Sequence, residues 1–288
     1  MAQEPLSLTT AGWDWSSVLT DRELNLYRNV LEQVQRRGLS FALGGGLAAS
    51  YYTGRMRFTK DMDLIILPQD RAVFIEALTR LGFEDLYHKQ PYKRSWIYRG
   101  VHDDIIVDLI WQMANDRAIV DERWLTHGPQ FQVSGLPMRL IPIEELIWSK
   151  LYIMHRDRCD WPDILNMLYL HAQTLDWDHL LNRVGVDRTL LSGLMCVFRW
   201  LCPDRAQRLP AELWAQLGLT GLPSEPLEWG GLPRATLLDS YHDWFGPKPG
   251  VKPPGEPSGG PPEKLPRAGE LPGAGELPGA GPGKKPAA

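Results

Sequence analysis

Between Phe41 and Leu67 the chain reads FALGGGLAASYYTGRMRFTKDMDLIIL, and no other stretch constrains the fold as tightly. A short apolar strand over Ser40–Leu43 runs into three glycines, Gly44, Gly45 and Gly46. A helix-like segment, Leu47–Tyr52, follows and closes near Gly54. A second apolar strand, Asp61–Leu67, then carries Asp61 and Asp63 with one residue between them. Alternate strand residues share a face, so both carboxylates point the same way, roughly 7 Å apart along the backbone. Two converging carboxylates beside a glycine turn form a site suited to a divalent metal and a phosphate chain.

The rest of the chain supplies a frame for that unit. Asp21–Gly38 places Leu24, Tyr27, Val30, Leu31 and Val34 at helical spacing, with Gly38 as the stop. Asp70–Leu81 reads as a second amphipathic helix, with Val73, Ala77, Leu78 and Leu81 on one face. Trp96–Arg99 reads as a strand, Gly100 as a turn, and Asp104–Trp111 as a strongly apolar strand with Asp108 inside it. Gln130–Val133 and Met138–Ile141 flank Ser134-Gly135-Leu136-Pro137 as a hairpin. From Pro142 the texture is helical. The expected fold is therefore α+β: a small mixed-sheet core with flanking helices over residues 1–141, then a helical region over 142–245 that completes the cleft. From Gly246 to residue 288 glycine and proline dominate and GELPGA repeats in tandem, so a disordered tail is expected there.

Asp108 sharpens the chemistry. Its neighbours Ile105, Ile106, Val107, Leu109 and Ile110 imply burial, and a buried carboxylate requires a cation, a hydrogen-bond network or a metal. If its strand lies beside that of Asp61 and Asp63, three carboxylates meet, and their repulsion raises their pKa values unless a cation neutralises them. An all-oxygen donor set favours Mg²⁺ or Mn²⁺ over Zn²⁺. Each feature alone has an ordinary explanation: a tight turn, a strand-start acid pair, a structural salt bridge. The combination is much more specific. No P-loop, dinucleotide fingerprint, nucleophile elbow or His-Glu-x-x-His motif competes with it.

This combination resembles the polymerase-β-type nucleotidyltransferase superfamily, with its Gly-Gly after the first strand, Asp-x-Asp on the next and a third acid on a later strand. Within it, the chain resembles bacterial AbiEii-toxin-like transferases, which carry a GGxA…RxTxDxDL pattern. Gly45, Gly46, Ala48, Arg57, Thr59, Asp61, Asp63 and Leu64 meet that pattern with one residue of slack after the glycines. The later block IEELIWSKLYIMHRDRCDWPDILNML also resembles the family, so the likeness covers about residues 20–170.

The resemblance implies a metal-dependent transfer of NMP from an NTP to a hydroxyl, releasing pyrophosphate. Asp61, Asp63 and Asp108 would hold the metal and act in catalysis. Gly45, Gly46, Arg57, Lys60, Lys150 and Asp163 would bind the nucleotide. The acceptor is left open between tRNA, a protein and a small molecule such as an antibiotic; the first two would fit a toxin with a partner antitoxin. Ordinary roles stand beside these for the outer residues. Lys150 suits a solvated helix face, Asp160 and Asp163 around Pro162 suit helix capping, Arg156 and Arg158 suit pairing with those acids, and Tyr51 and Tyr52 suit packing. The competing reading is a catalytically silent binding or regulatory module on the same fold. A degraded acid set would mark it, and here the set is intact.

The bulk properties are compatible with either reading. A formal net charge of −4 carries no global nucleic-acid signature. Three cysteines without CxxC pairing argue against a disulfide scaffold and fit a reducing cytoplasm. No secretion signal is expected at the N-terminus, and no apolar run approaches the ~20 residues that span a bilayer.

Overall fold

The structure is a computed structural model that describes residues 19–54, 61–133, 136–221 and 234–238. The expected tail, Ser134 and Gly135 of the expected hairpin loop, and the segment holding Arg57, Thr59 and Lys60 lie outside the described residues.

Helix α1 (Asp21–Arg36) begins in a capping box in which Thr20 and Glu23 satisfy each other's backbone N–H groups, and it buries Tyr27, Val30, Leu31 and Val34. The chain then forms β1 (Phe41–Leu43), α2 (Gly45–Thr53) and β2 (Asp61–Ile66). Helix α3 (Arg71–Arg80) follows a 3₁₀ turn and buries Phe74, Ala77 and Leu78. Val73, expected on its inner face, is 41% exposed. Phe74 takes that place, because 74, 77 and 78 stack on one side of a 3.6-residue helix.

Strands β3 (Glu84–Asp85), β4 (Ile97–His102) and β5 (Ile105–Ile110) complete a five-stranded sheet of order β1-β2-β5-β4-β3. The central pair, β2 and β5, is parallel, and the other pairs are antiparallel. The sheet is therefore mixed, as expected. Two strand boundaries differ from the sequence reading: Leu136 and Pro137, expected in the hairpin turn, begin the strand Leu136–Arg139, and the turn expected at Gly100 moves. Gly100 lies within β4, where a side chain would press on Leu78 and Phe83 at 3.2–3.4 Å. The turn falls instead at Asp103, whose φ of 54° is left-handed.

Beyond the sheet come α4 (Glu122–Thr126) and a two-stranded hairpin, β6 (Gln130–Val133) and β7 (Leu136–Arg139). Six further helices follow: α5 (Ile143–Leu151), α6 (Trp161–His171), α7 (Trp177–Val184), α8 (Arg188–Leu201), α9 (Pro203–Ala206) and α10 (Ala211–Gln216). Buried side chains from Leu19 to Leu217 form one continuous apolar cluster. The Ile141 amide donates to Leu43 O at 3.0 Å, and the Tyr52 hydroxyl donates to Ile141 O at 2.7 Å. Both bonds tie the entry to α5 against β1 and α2. No helix among the described residues is long and apolar enough to cross a membrane.

Candidate active site

The glycine turn and the acid pair are joined by backbone contact. Gly44 N donates to Asp63 O at 3.0 Å, which fixes the start of α2 against β2. Gly45 has a φ of +56°, and a Cβ there would lie 1.6 Å from Asp63 Oδ2. Conformation and space both require glycine at this position. Helix α2 begins at Gly45 with no side-chain cap, so its first amides are not satisfied by a capping side chain.

Asp61 and Asp63 lie on one face of β2, while Met62 and Leu64 are fully buried on the other. Parallel pairing sets Asp63 opposite Asp108 on β5. One ligand atom from each of Asp61, Asp63 and Asp108 falls within 4.8 Å of the other two. The three predicted acids therefore meet as the sequence reading required.

Burial pushes the Asp108 carboxyl up to about 6, against the Arg99 hydrogen bond that holds it down. Asp63 is raised well above the carboxylate range, first by burial and then by the charges of Asp61 and Asp108; Lys150 and Arg99 oppose the rise. Three converging carboxylates, two of them held above the ordinary carboxylate range, with no nitrogen or sulfur ligand in the set, fit a hard divalent cation.

Arg99 is the neighbour that sequence reasoning missed. It stands directly across β4–β5 from Asp108. Its Nε donates to Asp108 Oδ1 at 2.9 Å and a terminal nitrogen donates to Asp61 Oδ2 at 3.2 Å. The tight turn at Asp103-Asp104 was the available signal, since a hairpin folded there places residue 99 opposite 108. Tyr92 supports the arrangement by accepting the Arg99 backbone N–H at 2.9 Å and donating to Asp85 at 2.8 Å.

The helical block contributes a second charged cluster. Lys150 is only 4% exposed and donates to Asp160 at 2.7 Å and to Asp163 at 2.8 Å. Arg158 donates twice to Asp160, at 2.9 and 3.1 Å. Burial works to raise the Asp160 carboxyl, yet Arg158 and Lys150 hold it down at about 2. Lys150 is thus buried and paired, not solvated, and Asp160 makes ion pairs in place of a side-chain cap on α6. A cavity of about 630 Å³ connects the two clusters. Its lining includes Gly45, Gly46, the three acids and Lys150, with Tyr92 and Trp96 among its apolar walls.

Of the remaining candidates, Tyr52 is buried against the ring of Tyr51 and Tyr51 stacks on Phe131, a packing role for both. Arg57 and Lys60 fall outside the described residues.

A strand, a glycine turn opening a helix, and three carboxylates gathered from two parallel strands are the features by which the chain resembles nucleotidyltransferases of the polymerase-β type. The family described as uncharacterised nucleotidyltransferase matches residues 19–202, and the chain belongs to it. No curated protein matches the chain. Among solved structures it is similar to the antibiotic-resistance factor ANT(2'')-Ia in solution, at 18% identity and a TM-score of 0.39, over 63% of this chain and 93% of that one. It is similar to the lincosamide antibiotic adenylyltransferase LnuA with lincomycin bound, at 17% identity and a TM-score of 0.38, over 53% and 98%. A putative nucleotidyltransferase from H. pylori gives 17% identity and a TM-score of 0.34, over 70% and 93%. Likenesses this loose carry nothing about substrate. The narrower resemblance to AbiEii-type toxins gains no support from them.

Proposed function

We propose that the protein transfers a nucleoside monophosphate from an NTP to an acceptor hydroxyl. The observation that carries this reading is the convergence of Asp61, Asp63 and Asp108 within 4.8 Å, beside a glycine that has no room for a side chain. In the reaction the acceptor oxygen attacks the α-phosphorus, the bond from that phosphorus to the bridging oxygen of the β-phosphate breaks, and pyrophosphate leaves.

Asp61, Asp63 and Asp108 would hold a divalent cation, Mg²⁺ or Mn²⁺, which when bound supplies charge neutralisation for the triphosphate and for the attacking and leaving oxygens. Asp108 would also help to activate the acceptor hydroxyl by taking its proton. The amides of Gly45 and Gly46 approach the phosphates, which a bare backbone allows. Arg57 and Lys60 flank the metal strand and bind phosphate. Lys150 and Asp163 serve the nucleotide as a paired unit with Asp160, while Arg158, 60% exposed, is the more accessible cation. Residues 1–141 form the transferase core under this proposal, and 142–245 close the cleft. The acceptor is a tRNA, a protein or a small molecule, and an antitoxin partner belongs with the first two.

Pyrophosphate release tests this reading. Full-length protein is given each NTP with Mg²⁺ or Mn²⁺ and, in separate reactions, total tRNA, cell lysate or an aminoglycoside. Release by the wild type, reduced at least 100-fold in Asp61→Asn and Asp63→Asn, is the expected result. Equal release by wild type and variants would remove the acids from the chemistry.

A further inference from the structure

Arg99 brings a fixed positive charge into the place where a cation is needed. Its guanidinium spans two of the three acids, donating to Asp108 at 2.9 Å and to Asp61 at 3.2 Å. Asp108 is 2% exposed, so its bond to Arg99 forms largely out of water, whereas the bond to Asp61 joins two side chains that are each 30% exposed. The arginine is itself anchored, by cross-strand pairing with Asp108 and by Tyr92 on its backbone amide. With all three carboxylates ionised, as metal ligation requires, one guanidinium leaves two negative charges in excess. That excess matches a single divalent cation.

We propose that Arg99 is a positioning residue, an internal counter-ion that holds Asp61 and Asp108 in place in the metal-free enzyme and gives up its bond to at least one of them when a divalent cation binds. The inference rests on the acids being a divalent-metal site. A guanidinium is a worse neighbour than water for a doubly charged ion, because like charges a few ångströms apart repel even when solvent screens them. Arg99 therefore weakens the site for free metal while keeping the acids ordered. It also leaves a cation free to meet phosphate once the metal has arrived.

Binding of Mn²⁺ alone, measured by calorimetry and by the Mn²⁺ paramagnetic resonance signal on the full chain, tests the inference without any turnover. Arg99→Met is expected to bind Mn²⁺ about tenfold more tightly than wild type, the gain from removing one unit charge at roughly 5 Å in a high dielectric. Asp63→Asn serves as the control that loses the metal. A second measurement needs no variant. The Arg99 Nε–H resonance, protected by its bond to Asp108, is expected to lose that protection when Mg²⁺ saturates the wild-type protein. Equal or weaker Mn²⁺ binding by Arg99→Met, or an Arg99 resonance unchanged by Mg²⁺, would overturn the counter-ion role and leave the metal site standing. Wild type that binds Mn²⁺ no better than Asp63→Asn would remove the metal reading itself, and the inference with it.

Discussion

At Gly45 a single hydrogen does the work of specificity. The φ of +56° and the 1.6 Å approach to Asp63 Oδ2 act independently, one on conformation and one on space. Gly45→Ala is therefore expected to cost about 2 kcal/mol of stability and to displace Asp63, abolishing transfer. Thermal unfolding with a parallel activity assay checks both. Asp108 gives a pH signature. Its pKa of about 6 in the folded state lies above the ordinary 3.8, so between those values the folded protein binds more protons than the unfolded one. Its contribution to stability is complete below about 4 and is lost as pH rises through 6, an effect on the order of 2–3 kcal/mol. Urea midpoints of the metal-free protein across pH 4–7 should fall accordingly, and a saturating divalent cation should flatten the trend.

Elements decide which of these side chains meet. The β2–β5 register puts Asp63 beside Asp108, and the β4–β5 hairpin puts Arg99 across from it. Asp61-x-Asp63 could be read directly, because a period of two is local, and the capped, amphipathic α1 could be read for the same reason. Arg99 could not, since it depended on where the hairpin turned. Gly100 drew the turn to itself in the sequence reading, whereas in the fold it makes room for Leu78 and Phe83, a contact visible only once α3 lies on the sheet. The solvated role open to Lys150 fails for a similar reason: its helix reads as amphipathic, but the chain returns through Asp160 and Asp163 to enclose it. Lys150→Met is expected to destabilise the protein by about 3 kcal/mol, because it leaves the 1%-exposed Asp160 with Arg158 as its remaining cation. Guanidinium unfolding at pH 7 measures this. The Asp160 contribution, with its pKa held at about 2, is present above about 4 and lost as pH falls toward 2.

Across the whole molecule, the change to helical texture at Pro142 does not mark a break in the core. Buried residues on both sides of it belong to one apolar cluster. A charged tie reinforces the join: Glu145 on α5, fully buried, meets His179 at 2.6 Å and Arg183 at 3.2 Å on α7, and Arg183 also pairs with Asp121 before α4 at 2.6 Å. Glu145→Ala is expected to cost about 3 kcal/mol by leaving the Arg183 guanidinium and the His179 ring beside an emptied site. Unfolding should stay a single transition with a lower midpoint, as one shared core requires. Two separated transitions would show that the helical half folds by itself. The proposed reaction turns on which phosphorus is attacked. Parallel reactions with α-labelled and γ-labelled NTP, Mg²⁺ and the same acceptors measure it directly. The expected result is α label on the acceptor and γ label in pyrophosphate, both lost in Asp61→Asn and Asp63→Asn. Transfer of γ label to the acceptor, or no turnover and no metal-dependent NTP binding by wild type, would contradict it.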